Sequence, residues 1–254
     1  MTDQMRLRQI CLVAPHLEPV ISDISAIMGL NVCYRDEHVG KYGLENALLP
    51  VDTILLEVVA PLRDGTAAGR FIEKTGGHGG YMAIFSCPDP DERGRHAESI
   101  GVRIANVIDH APYHGVQLHP RDCRAAFIEF NHTEGSDNVT GSYPPAGPNW
   151  HAAVRTDVTS ALIVVDLQSP APAELAAHWG RIIGLPITNT ADGTFGISLE
   201  NCSLRFTSGE REAMTGLTFR VNDVAQVAAA AGARGCPVAG DGFLLGGVVF
   251  RAVA

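Results

Sequence analysis

No run of lysine or arginine occurs in this chain, and acidic residues outnumber basic ones 28 to 19, for a net charge of -9. Nucleic acid and anionic membrane surfaces are therefore not expected as partners, because both are held first by clustered cations. No apolar stretch approaches the roughly 20 residues of a membrane-spanning helix. Residues 1–8 lack the basic-then-apolar pattern of a secretion signal. The six cysteines, at 11, 33, 87, 123, 202 and 236, are scattered and form no CxxC pair. They read as reduced core residues, and the expected location is the cytoplasm. What is present is apolar material: 46% of 254 residues is hydrophobic, enough for one large domain or two ordinary ones.

That material is arranged in a repeat. Leu17 to Met28 carries apolar residues at 17, 20, 21, 24, 27 and 28, a helical stripe, and stops at Gly29 before "GLNV". Pro90 to Ile100, Pro172 to Ile183 and Val224 to Arg234 repeat the pattern, stopping at Gly101, Gly184 and Gly235 before "GVRI", "GLPI" and "GCPV". A glycine at each joint suits the left-handed residue that closes a helix. An apolar strand precedes each helix: "ICLVA", "YMAIFS", "ALIVVDL" and "LTFRV". The unit is strand, helix, then about three strands, four times over. Residues 135–150, rich in Gly, Pro, Ser and Asn, read as a linker, leaving halves at 1–134 and 151–254.

Two acids interrupt apolar strands: Glu57 in "ILLEVV" and Glu129 in "AFIEF". A buried carboxylate needs a metal, an arginine or a retained proton. The alternative is a half-buried strand whose polar residue faces water.

The paired strand–helix–three-strand unit resembles the vicinal oxygen chelate superfamily, which includes glyoxalase I, methylmalonyl-CoA epimerase, extradiol dioxygenases and bleomycin-resistance proteins. The resemblance implies an α+β fold of four βαβββ units forming two glyoxalase-like domains with incomplete mixed β-barrels. It also implies metal ligands on first and last strands. In the N-terminal half these positions fall on Gln9, Glu57 and Glu129, with the fourth at His78 or Tyr81. Such a set is similar to the site of the human type of glyoxalase I and suits a divalent ion: Zn, Ni, Mn or Fe(II). The C-terminal half lacks the constellation; Arg205 stands near the place of Glu57. That counts against the ring-cleaving pattern of the two-domain dioxygenases.

"HGVQLHPRDCRAAFIEF", residues 114–130, places "HPRD" where superfamily members carry a turn before the last strand. It reads as a proline turn with polar decoration. In the functional reading, His119, Arg121 and Asp122 line a cleft mouth, with arginine for a substrate carboxylate and histidine for a proton. "GGYM" together with "LHPRD" resembles a group of glyoxalase-like bacterial proteins, which adds Tyr81 to the substrate-binding set. His178, beside Trp179 in a helix, reads as structural.

The resulting expectation is a metal-dependent isomerase, epimerase or lyase. It would act by proton transfer on a small carbonyl- or hydroxy-containing organic acid or ketone, with Glu129, Glu57 and His119 as the catalytic groups. The alternatives are a metal-free small-molecule binding or resistance protein and an Fe(II) ring-cleaving dioxygenase. The units can pair within one chain or across a homodimer; the sequence leaves both open.

Overall fold

A computed structural model describes residues 5–77, 79–135, 139–190 and 193–254. The chain begins with β1 (Arg6–Val13) and α1 (Leu17–Met28), and β2 (Leu44–Val51), β3 (Ile54–Pro61) and α2 (Ala67–Thr75) follow. The second repeat comprises β4 (Gly79–Ser86), α3 (Pro90–Ser99), β5 (Ile104–His110), β6 (Tyr113–Leu118), the short helix α4 (Pro120–Cys123) and β7 (Phe127–Thr133). The third is β8 (Thr159–Ser169), α5 (Pro172–Ile183), β9 (Thr188–Asn189), β10 (Phe195–Ser198) and β11 (Ser203–Ser208). The fourth is β12 (Ala213–Val221), α6 (Val224–Ala233), β13 (Val238–Ala239), β14 (Gly242–Leu245) and β15 (Val248–Val253).

The strands form two open mixed sheets, ordered β2-β3-β1-β4-β7-β6-β5 and β13-β14-β15-β12-β8-β11-β10-β9. In the last three repeats the first strand runs parallel to the last, and antiparallel hairpins extend from there. This is the topology the helix crossover imposes, because two parallel strands need a long connection. The first repeat departs from expectation. Only an isolated bridge, Tyr34 to Leu48, stands where "GLNV" and the residues after it suggested a strand. Helix α2 was also not expected, although Ala68, Phe71 and Ile72 stand at helical spacing; Ala68 is its one buried residue.

Close packing groups the chain into two units: residues 1–9, 82–144 and 164–214, and residues 10–81, 145–163 and 215–254. The boundary cuts through β1, β4, β8 and β12, whereas the strands divide between the sheets at residues 134–158. In the first unit, α3 covers β6 and β7 and packs on α5. His96 Nε2–H donates to the Arg181 carbonyl at 2.7 Å. In the second unit α1 packs on α6, and Asp23 on α1 pairs with Arg234 at 2.6 Å.

The apolar stripe of α1 is buried at every predicted position: Leu17, Val20, Ile21, Ile24, Ile27 and Met28. Gly29 ends the helix at φ +67°, and a Cβ there would stand 2.7 Å from Val158 Cγ2. Both the left-handed backbone and the contact oppose a side chain. Gly29→Ala is therefore expected to lower stability by about 2 kcal/mol, measured by chemical denaturation. An unchanged midpoint would show that the joint relaxes freely.

All six cysteines are free; Cys11, Cys87, Cys123 and Cys202 are buried, and Cys33 and Cys236 are partly exposed. No described helix is long and apolar enough to cross a membrane.

Candidate functional site

Strand parity places the polar residues of β7. Glu129 is in register with Ile84 on β4 and Gln117 on β6; Asn131 is in register with Ser86 and Gly115. Paired residues share a face, and alternate residues along a strand change face. Met82, Ile84, Ser86, Tyr113, Gln117, Glu129 and Asn131 therefore occupy one face. Ile128, Phe130 and Val116 occupy the other, against α3, where Gly94 sits so close that an added Cβ would lie 3.0 Å from Val116 Cγ1. Glu129 thus faces away from the covering helix, yet it is only 2% exposed.

The buried carboxylate has partners. Tyr113 donates its hydroxyl to Glu129 Oε1, and Gln117 Nε2 donates to Oε2 at 2.8 Å. Asn106 Nδ2 in turn donates to Gln117 Oε1 at 3.1 Å, fixing that amide's orientation. Gly115, between Tyr113 and Gln117 on the same face, leaves the room these groups occupy: a Cβ would meet Glu129 Oε1 and the Tyr113 ring, each at 3.0 Å.

The network continues to the first strand. The Tyr113 and Tyr143 rings meet edge-on, with centroids 6.1 Å apart, and Tyr143 donates to Gln9 Oε1 at 2.9 Å. The Arg8 guanidinium lies over the Tyr143 ring, 4.5 Å from its centroid, and Nη1 donates to the Val139 carbonyl at 3.3 Å. Burial, and then the neighbouring Glu129 charge, push the Tyr113 phenol well above its usual range, so it remains a donor at neutral pH. Burial lowers the Arg8 pKa from its ordinary value, although Tyr143 opposes the shift.

The predicted site residues fare differently. Gln9 and Glu129 both belong to this network. Glu57 is buried in the second unit, where its Oε1 accepts from Asn46 Nδ2 at 2.7 Å. His78 lies outside the described residues. Tyr81 is on the opposite side of β4 from Ile84 and packs edge-on against Phe71, with centroids 5.1 Å apart. Met82, not Tyr81, shares the face of Glu129.

The "HPRD" turn is a short helix, with His119 as its cap: the imidazole Nδ1 accepts from the Arg121 backbone N–H at 3.3 Å. Asp122 forms a two-point pair with Arg103, at 2.7 and 2.8 Å, which holds its carboxyl well below the usual carboxylate range. The Arg121 residue is exposed. Helix α5 fastens the same stretch: His178 Nε2–H donates to the Asp122 carbonyl at 2.6 Å, and Trp179 Nε1–H donates to the Cys123 carbonyl at 3.0 Å. Arg124 then pairs with Glu212. In the third repeat, Arg205 pairs in two-point fashion with buried Asp166, at 2.6 and 3.0 Å.

This fastening predicts acid sensitivity. Arg124 depresses Glu212 below its ordinary 4.5, and burial depresses His178 below 6.5. Both contributions are complete above those ordinary values and are lost as pH falls, because the unfolded chain then binds protons more readily. Stability should decline from about pH 6.5 downward. A His178→Gln, Glu212→Gln double variant should flatten that decline, as read from denaturation midpoints across pH. A slope equal to that of the unaltered protein would assign it to other groups.

The sequence reading missed Arg8, Tyr113, Gln117, Asn131 and Tyr143. The alternation Tyr113–Gly115–Gln117 was the available signal for β6. Nothing marked Tyr143, which lies in the Gly- and Pro-rich stretch read as a linker. Its aromatic side chain is nonetheless 1% exposed, and Pro144–Ala146 and Trp150–Ala153 form 3-10 turns.

The residues fit a divalent ion poorly. Gln9 Oε1 and both oxygens of Glu129 already accept hydrogen bonds, and a buried guanidinium stands beside Tyr143. The β4 residue in register with Glu129 is Ile84, which has no donor atom, and the next residue toward the start of the strand on that face is Met82, whose thioether hard divalent ions do not favour. No three His, Cys, Asp or Glu side chains among the described residues converge as ligands.

No family model and no curated protein matches the chain. Its fold matches solved structures. A hypothetical protein from Staphylococcus aureus aligns over 98% of both chains, with a TM-score of 0.68 and 11% identity. A Mn(II)-bound glyoxalase from Novosphingobium aromaticivorans aligns over 98% of this chain and 82% of its own, with a TM-score of 0.68 and 10% identity. Methylmalonyl-CoA epimerase from Mycobacterium tuberculosis aligns over 49% of this chain and 85% of its own, with a TM-score of 0.44 and 22% identity.

Proposed function

We propose that this chain, which has the two-domain fold of the vicinal oxygen chelate superfamily, is an isomerase or epimerase of glyoxalase-like kind. It moves a proton on the carbon beside the carbonyl of a small organic acid or ketone. Its site lies in the N-terminal half, residues 1–134, joined by Tyr143 from the connecting stretch.

The observation that carries this reading is Glu129: a 2%-exposed carboxylate that interrupts an apolar strand and accepts from one phenol and one amide. A carboxylate so placed takes a proton from carbon and returns it. Tyr113, kept in its protonated form, steadies the charged state of Glu129. Arg8 supplies positive potential where negative charge develops on the substrate. Because Gln9, Tyr113, Glu129 and Tyr143 are all nearly covered, a substrate reaches Glu129 only by displacing part of this cover. The donor set does not favour a metal, so no step of this reading passes through one.

The test is proton exchange. The protein, purified without chelator, is incubated in D2O with a panel of 2-oxo acids, 3-oxo acids and hydroxyketones, and deuterium incorporation at the carbon beside the carbonyl is followed by NMR. Catalysed wash-in that survives chelation supports metal-free proton transfer. Wash-in that appears only after Zn, Ni, Mn or Fe(II) is added would restore the metal-dependent reading. No exchange with any compound would leave the cleft as a binding site and defeat the enzymatic proposal.

A further inference from the structure

Asn131 lies two residues beyond Glu129 on β7, so the two share a face roughly 7 Å apart along the strand. Its side chain is fully buried. Ser86 Oγ–H donates to Asn131 Oδ1 at 2.9 Å, and its own Nδ2 has no hydrogen-bond partner among the described residues. On β6 the register partner of Asn131 is Gly115, which brings no side chain to accept from it. A buried amide donor left without an acceptor is costly and calls for an occupant.

We propose that Asn131 Nδ2 donates to the carbonyl oxygen of the substrate and to the enolate oxygen it becomes, a role an ion would otherwise fill. The inference rests on the proton-transfer reading and narrows the substrate to a ketone or oxo acid with a C–H beside the carbonyl. The Glu129 carboxylate takes that proton. The C–H electron pair becomes the new carbon–carbon π bond, and the carbonyl π pair moves onto oxygen, where the Asn131 N–H meets it. Return of the proton to carbon restores the carbonyl, so no oxidant or reductant is consumed. A preorganised donor in a water-excluded site favours the charge that develops over the neutral ground state.

The probe is oxalate, a planar anion shaped like an enediolate. Binding is followed by calorimetry and through the side-chain amide signals of protein labelled with 15N-asparagine, with Asn131 assigned by its absence in N131A. Oxalate is expected to move the Asn131 amide protons downfield in the unaltered protein and in E129Q. N131A is expected to bind oxalate about 10- to 100-fold more weakly, the loss of one hydrogen bond to a charged ligand. If N131A does not fold, the Asn131 amide is assigned through the backbone resonances of 13C,15N-labelled protein, and its shift in the unaltered protein decides alone. The proposal is overturned if oxalate does not bind, if the amide does not move at saturation, or if folded N131A binds equally well. It is also overturned if the free protein shows the amide held by a long-lived water. A moving amide without any carbon-proton exchange would defeat the Glu129 reading while leaving the donor assignment intact.

Discussion

Replacing Glu129 with glutamine is expected to slow carbon-proton exchange by about 10²- to 10⁴-fold, the usual contribution of a positioned acid–base group. Glutamine keeps the shape and one oxygen that can accept from Tyr113. What disappears is the basic oxygen that takes the proton. The rate constant should therefore fall far more than the melting temperature, and the two measurements together separate catalysis from folding. A companion variant reads the environment of the carboxylate. Tyr113→Phe deletes a hydrogen bond that favours the charged form of Glu129, so the Glu129 pKa should rise. The acid limb of the pH–rate profile should then move to higher pH. An unmoved limb would mean that another group governs it, and near-normal exchange in Glu129→Gln would place the base elsewhere.

The second large effect is structural. Trp179→Ala is expected to cost about 3–5 kcal/mol, the range for deleting a buried large aromatic. Trp179 is fully buried on α5, its ring meeting Phe206 edge-on with centroids 6.0 Å apart. Its indole N–H also holds the Cys123 carbonyl at 3.0 Å, so truncation leaves both a cavity and an unpaired carbonyl. For a chain of this size that corresponds to a drop in melting temperature of roughly 10 °C. Trp179→Phe should retain much of the packing and lose mainly the hydrogen bond, about 1 kcal/mol. Circular dichroism through urea unfolding measures both. A loss below about 1 kcal/mol for the alanine variant would show that the α4 stretch is held by Arg103 and Arg124 without the indole.

Much of the architecture was legible in the sequence because it is written locally. A helix needs an apolar stripe at its own period and a residue able to end it. Every predicted stripe position on α1 is buried, and Gly29, Gly101, Gly184 and Gly235 all take positive φ. The interruption of an apolar strand by Glu129 likewise marked a candidate acid, either buried with partners or facing water; the structure buries it. Who those partners are was not local. Tyr143 reaches Gln9 across 134 positions. Asp122 reads as a cleft residue until Arg103, on the turn before β5, takes its carboxylate. The choice of Met82 over Tyr81 depends on strand register, which shifts a side chain to the opposite face for a slip of one residue. Periodicity along the chain therefore determined α1, α3, α5 and α6 with their glycine joints, and it marked Glu129 as a candidate. Only the tertiary structure decided which donors surround that carboxylate, because hydrogen-bond partners are chosen by distance in space and not by separation in sequence.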